Sequence, residues 1–443
     1  MKTPTRSRTP EGMTRSRTPE GMTRSRTLRR ILLASTLATT VLAIGRPAPS
    51  SAAQTLGPVT DEIGVIRIPK NAPIQIGGMW VLSGPDTALG LDEKRGVELA
   101  FKTVGGKLLG HPLKLNAEDD QCNAEGGQTA ATKLAANPQT VIVLGPACSS
   151  VATPAAPILW QAGIVDIGTA CTAPALTAPN RGPQYAGFVR TVFSDSEQGK
   201  ADATYAREGL KAATVVTVHD GSPYAQQLQQ VMADNFTRLG GKVLSQEAVS
   251  PNDVDMHPLL TKIASEKPDL IYFPLFTAAA AQVLRQAKET PGLEKTVLLG
   301  GGSLASAAFI EAAGPSVVGF RIGYPDVSAD AMGKDYPKFV AEYKKAYNEG
   351  PISGYHANAY DGAILAMKAI EKVAKTDSAG NLYVGRKALR DAVFEITFDG
   401  ISGPIACDAN GQCAQFKPSV LEFTSADPKT YDLGKNPKKI WPK

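Results

Sequence analysis

The chain has 443 residues, of which 20% are charged, with 42 Gly, 32 Pro, five Cys and a formal net charge of +5. That length exceeds what one hydrophobic core holds and predicts two domains once a leader is set aside. Residues 1–53 carry ten Lys/Arg and two Glu, a net of +8, which leaves −3 for residues 54–443 and argues against a nucleic-acid-binding surface.

The first 27 residues hold a nine-residue polar repeat (5–13, repeated at 14–22 and restarted at 23–27) with no apolar face to build a core. Each full copy ends in Met, so translation starting at Met22 is one reading. Arg29-Arg30 and the apolar run 31–44 form the n- and h-regions of a secretory signal, with Ser51-Ala52-Ala53 offering small residues for cleavage before Gln54. The alternative is an uncleaved anchor, although the run is short for a membrane span. Arg29-Arg30 also fits a twin-arginine signal weakly. Residues 1–53 are thus expected to be repeat plus cleaved leader, and the remainder to be soluble in the periplasm, an oxidising compartment where paired cysteines persist.

From residue 74 apolar runs alternate with amphipathic helices. Strands are predicted at 74–80, 113–117, 141–144 and 164–167, and helices at 92–104, 128–136 and 151–162. The pattern restarts beyond Phe193, with strands at 214–219, 242–248, 270–273 and 296–299 and helices at 224–239, 258–265 and 279–289. Such alternation implies parallel sheets covered on both faces, here α/β in two doubly wound, flavodoxin-like lobes that bind ligands beyond the carboxyl ends of their strands. Further on, helices are predicted at 336–347 and 357–373. Antiparallel strands at 401–406 and 415–423 would flank Asn410-Gly411, and an irregular tail would begin at Asp427.

Cys122 and Cys148 both follow predicted strands on one side of a parallel sheet and are candidates for a disulfide worth roughly 3–4 kcal/mol in the chain-entropy model. Cys407 and Cys413 flank the Asn-Gly turn and are a second candidate pair. Ser149-Ser150 opens an apolar helix whose unpaired N–H groups would attract an anion. Cys171 has no histidine spaced toward it to act as a base and reads as an inert pocket wall. His219 and Asp220 read as orienting a turn, and Gly300-Gly301-Gly302-Ser303 lacks the lysine of a phosphate loop. No metal motif or cofactor fingerprint is present, so no metal, no cofactor and no catalysis are expected.

The segments Asp119-Asp120-Gln121-Cys122, Gly145-Pro146-Ala147-Cys148-Ser149-Ser150, Thr172-Ala173-Pro174-Ala175-Leu176-Thr177 and Lys267-Pro268-Asp269-Leu270-Ile271-Tyr272-Phe273 occur in an order and spacing that resembles the leucine/isoleucine/valine-type periplasmic substrate-binding proteins of ABC importers. Ser83-Gly84-Pro85 and residues 282–287 resemble that family as well, and the likeness runs from about residue 74 to 423. It implies the type I periplasmic-binding-protein fold, with three hinge crossings near 193–195, 322–326 and within 400–417. Lobe 1 would comprise 54–193 plus 325–405 and lobe 2 would comprise 194–324 plus 406–443.

The resemblance further implies a small carboxylate solute, held by Ser149, Thr172 and the Ala170 carbonyl with Ser150 beside them, between Tyr224 and Phe276 of lobe 2 and Tyr355 of lobe 1. An ABC permease with its ATPase subunits would be the partner of a monomeric binding protein. Two positions depart from the pattern. Gly302 stands where the family has a glutamate for the ligand ammonium, and Leu89 replaces a lobe-1 aromatic. A solute without an α-ammonium therefore stands beside a branched-chain amino acid, with Asp326 or Asp361 as replacement acids. The alternative function is a ligand-sensing receptor domain of the same fold.

Overall fold

A computed structural model describes residues 53–328 and 330–442; the repeat, the leader expectation and the start-site reading lie outside the described residues. Five strands form the parallel part of the first sheet: β1 (Ile74–Trp80), β2 (His111–Asp119), β3 (Thr140–Leu144), β4 (Val165–Gly168) and β5 (Phe188–Arg190). They lie in the order β2-β1-β3-β4-β5, with the short antiparallel strand Lys107–Leu108 on the β2 edge. β3 (TVIVL) is buried at every position, as a strand covered on both faces must be. The helices that cover it include α1 (Thr87–Thr103), α2 (Ala124–Ala135) and α3 (Ser149–Gln161).

The second sheet contains β6 (Thr214–His219), β7 (Lys242–Ala248), β8 (Leu270–Phe273), β9 (Val297–Gly300), β10 (Arg321–Pro325), β11 (Pro418–Glu422) and β12 (Lys438–Trp441) in the order β7-β6-β8-β9-β10-β11-β12. β7 to β10 are parallel, whereas β11 and β12 pair antiparallel. The register that sets Arg321 opposite Glu422 also brings their side chains to 2.9 Å. The helices of this half are α4 (Asp195–Thr204), α5 (Pro223–Arg238), α6 (His257–Glu266), α7 (Thr277–Glu289) and α8 (Ala307–Ala313). α9 (Tyr336–Tyr347) and α10 (His356–Val373) return to pack on α1, and α11 (Arg386–Glu395) packs on α10. The chain passes between the sheets after β5, after β10 and before β11.

The α/β class with parallel sheets is as expected, but the C-terminal region differs. Residues 401–406 and 415–423 are not partners. Gly403–Ala406 forms a hairpin with Thr397–Gly400, and β11 joins the second sheet. Asn410-Gly411 turns the chain beside two isolated bridges, Ile405 to Ala414 across the turn and Arg190 to Gln412 from β5. The tail from Asp427 is not wholly irregular either, because β12 extends the sheet and buries part of Trp441. Local turn chemistry marked the reversal, while long-range edge pairing chose the partners. Cys122–Cys148 and Cys407–Cys413 are both bridged, and Cys171 is free and buried.

Candidate functional site

α3 begins directly after the turn that leaves β3, and its N-cap residue, Cys148, supplies no side-chain cap. Among the described residues no protein acceptor takes the N–H groups of Ser149 or Ser150, so the positive end of the helix stays open to an anion. The disulfide fixes Cys148 to the loop after β2 with Cα atoms 5.3 Å apart. Ser150 Oγ donates to the Cys122 carbonyl at 2.7 Å, tying the same two segments together. Ser149 is 2% exposed, and its Oγ accepts the Ala173 N–H at 3.1 Å. Its own hydroxyl proton therefore remains to be donated.

The facing turn, residues 169–173, follows β4. Its carbonyls are gathered by Arg190, a cation with no exposed surface. Arg190 Nη1 donates to the carbonyls of Cys171 (3.0 Å) and Ala173 (2.9 Å), Nη2 to Thr177 Oγ1 (2.7 Å), and Nε to Gln412 Oε1 (2.6 Å). Thr172 donates its hydroxyl proton to Asp195 Oδ2 at 2.8 Å, and the Asp195 N–H returns to the Thr172 carbonyl at 3.0 Å. The Thr172 hydroxyl is thereby turned into an acceptor, while the Thr172 N–H has no protein acceptor among the described residues. One side of the turn can receive a carboxylate and the other can receive a donor.

The opposite wall comes from the second half. Tyr224, in the first turn of α5, pairs with Ser303 Oγ at 3.2 Å; because Ser303 donates to the Leu275 carbonyl at 2.8 Å, Tyr224 is the donor of that pair. Tyr224 and Phe276 rings meet at 5.5 Å between centroids, and Tyr355 packs edge-on to Tyr324 at 5.8 Å. Leu89, Ala147, Cys148, Ser149, Ala170 and Thr172 from one side and Tyr224, Phe276 and Ser303 from the other line one cavity together with Tyr355. Its volume is about 10 Å³, room for little more than one water molecule.

The structure thus brings Leu89, Ser149, Ala170, Thr172, Tyr224, Phe276 and Tyr355 to one place. Ser150 and Gly302 are not on that surface. Ser150 faces the disulfide loop, and Ser303 lines the wall in place of Gly302. A Cβ on Gly302 would come within 2.6 Å of Tyr355 Oη, and one on Gly301 would collide with Tyr224 Oη. The room that an acidic side chain would use is filled by tyrosines. The replacement acids expected from the sequence are engaged elsewhere. Asp326 pairs with Lys439 at 2.7 Å, and Asp361 accepts Ile401 N–H, Ser402 N–H and Ser402 Oγ. Asp195 is the acid that the structure connects to the cavity, through Thr172. Sequence reading missed Asp195, Arg190 and Ser303. Asp195 follows Ser194 at the start of α4 and reads there as an ordinary helix-start acid.

Burial raises several carboxyl groups around this site. Asp120, Asp195 and Asp202 are each pushed up to about 7 and Asp361 to about 6, chiefly by loss of hydration. Asp166, both of whose oxygens are buried without a partner, and Glu93 are pushed well above the carboxylate range by the same cause. Unfolded carboxylates titrate near pH 4, so between roughly pH 4 and 7 the native state binds more protons than the unfolded chain. These groups contribute stability that is complete below pH 4 and is lost as the pH rises toward 7. The melting temperature is expected to fall by roughly 5 °C or more from pH 5 to pH 8, at about 2–4 °C per kcal/mol. A flat or rising calorimetric profile over that interval would mean that these acids are ionised and paired by water.

Among the described residues no group of three or more His, Cys, Asp or Glu could hold a metal ion, and no helix is long and apolar enough to cross a membrane. The family model described as "Periplasmic binding protein" matches residues 73–422. The Leu/Ile/Val-binding protein of Escherichia coli strain K12 is 27% identical over 352 residues, covering 79% of this chain and 90% of that protein. A leucine binding protein from Thermotoga maritima superposes with a TM-score of 0.70 at 24% identity, covering 80% of this chain and 96% of its own. A solute binding protein from R. palustris, solved in complex with 4-hydroxybenzoate, gives 0.69 at 21% identity over 83% and 96%. The curated relative is a binding protein and not an enzyme, and the two structures are alike in fold.

Proposed function

The chain belongs to the periplasmic binding protein family, and from that membership we propose that it is the extracytoplasmic solute-binding component of an ABC importer, delivering a small carboxylate-bearing solute to a permease and its ATPase subunits. The observation that carries the reading is the anion cradle. The open N-terminus of α3, the Ser149 hydroxyl and the Thr172 N–H converge on one cavity, clamped from behind by a disulfide and by Arg190. Residues 54–193 with 325–405, and 194–324 with 406–443, are the two lobes of this reading. Walls this close must part before a solute of amino-acid size enters and must meet again around it. A leader removed before Gln54 would place the monomer in the periplasm.

The tyrosines that occupy the space beside Gly302 favour a solute without an α-ammonium; the acceptor face made by Asp195 and Thr172 favours one that carries a donor. A thermal-shift screen separates the two. One arm holds leucine, isoleucine and valine, the ligands in the name of the curated relative, and the other holds benzoate and 4-hydroxybenzoate. Stabilisation by one arm alone identifies the class: at a concentration of 100 times Kd the gain is about 2.7 kcal/mol. No shift with any carboxylate, alongside one with neutral or cationic solutes, would sink the reading.

A further inference from the structure

Asp86 occupies the N-cap position of α1, where an aspartate ordinarily accepts an N–H of its own helix, yet its side chain makes no such bond. Its Oδ1 instead accepts the N–H of Thr277 at 3.2 Å. Thr277 is the first residue of α7, on the opposite side of the cavity and 191 residues away in sequence. α7 needs that acceptor, because its own N-cap residue is Phe276, which has no polar side chain to offer. Phe276 is also a wall of the cavity. Other hydrogen bonds bridge the halves, among them Ala175 N–H to Gln227 Oε1, Ala307 N–H to the Ile352 carbonyl and the Thr172–Asp195 pair, but among the described residues none of these caps a helix of one half with a carboxylate of the other.

We propose that Asp86 is the positioning residue for closure: it becomes the N-cap of α7 only when the two halves meet, and so locks Phe276 over the bound solute. The inference deepens the two-lobe reading and rests on it. In the open form α7 loses its cap and Asp86 is hydrated. Closure exchanges water for a charge-assisted hydrogen bond at the positive end of a helix dipole. Asp86 is not itself on the cavity surface; its carbonyl accepts the Leu89 N–H at 3.0 Å within its own half, while its side chain acts on the solute through α7 and Phe276.

The test uses the full mature chain with spin labels at Glu125→Cys and Asn252→Cys, both exposed. Distance distributions are measured without solute for wild type, Asp86→Ala, Thr277→Pro and the double variant. Proline suits the first position of a helix and removes the N–H that Asp86 accepts, so Thr277→Pro deletes the latch without breaking α7. Each single variant is expected to lower the closed-to-open ratio roughly fivefold, the worth of one helix cap, and the double variant no further. Unchanged distributions, or effects that add, overturn the proposal. Calorimetric titration with leucine and with 4-hydroxybenzoate is run in parallel. If no carboxylate of the thermal-shift screen binds but the distances shift, the solute reading fails and the latch stands. If one binds while the distances stay put, the latch fails and the solute reading stands.

Discussion

Replacing Ser149 and Thr172 together with alanine is expected to weaken solute binding by roughly 2–5 kcal/mol, the cost of burying a carboxylate whose hydrogen-bonding partners have been cut away. The two residues act differently. Ser149 offers its hydroxyl proton, because its oxygen already accepts from Ala173, whereas the proton of Thr172 is committed to Asp195. Ser149→Ala alone should therefore account for most of the loss with an amine-free acid such as benzoate. Thr172→Ala should matter more for a solute with an ammonium, since it removes an acceptor and leaves the Thr172 N–H in place. Titration calorimetry with the solute that gives the largest thermal shift reads both. Affinity unchanged in the double variant would move the binding site away from the α3 terminus.

Arg190→Met is expected to destabilise the protein by roughly 3–5 kcal/mol, measured as a lower urea midpoint with an unchanged slope. The guanidinium satisfies four acceptors; its loss leaves the buried Cys171 carbonyl unpaired at about 1–3 kcal/mol and takes one partner each from the Ala173 carbonyl, Thr177 and Gln412. Burial lowers Arg190 only to about 10, so it stays charged at neutral pH. Arg190→Lys keeps that charge but lacks the planar fork that reaches four acceptors at once, and should fall between the two. Both variants should also lower affinity, because the carbonyls that Arg190 gathers belong to the turn carrying Thr172. A loss below about 1 kcal/mol would mean that water replaces the fork.

The parts of the fold legible in sequence were those with a strong local period. Runs such as Val141-Ile142-Val143-Leu144 announce a strand buried on both faces, and boundaries erred mainly by a turn, as where α1 begins at Thr87 and not at 92. The cavity lining was legible because the motifs that carry Ser149, Thr172 and Tyr224 each lie where a strand hands over to a helix. Less legible were the edges. Whether 418–422 pairs with 401–406 or with β10 depends on contacts nearly a hundred residues apart, and periodicity is silent about those.

By itself the sequence determined the class, most of the cavity lining and the two disulfide pairs, because helix termini, parallel-strand composition and cysteine placement act over a few residues. Only the tertiary structure decided which acid serves the cavity, what gathers the Thr172 turn and what caps α7. Asp195, Arg190 and Asp86 each look like ordinary charged residues until folding removes their water and leaves particular partners within reach. Those partners lie 23, 13 to 222 and 191 residues away respectively, and burial, a property of the assembled core, is what makes each pairing matter.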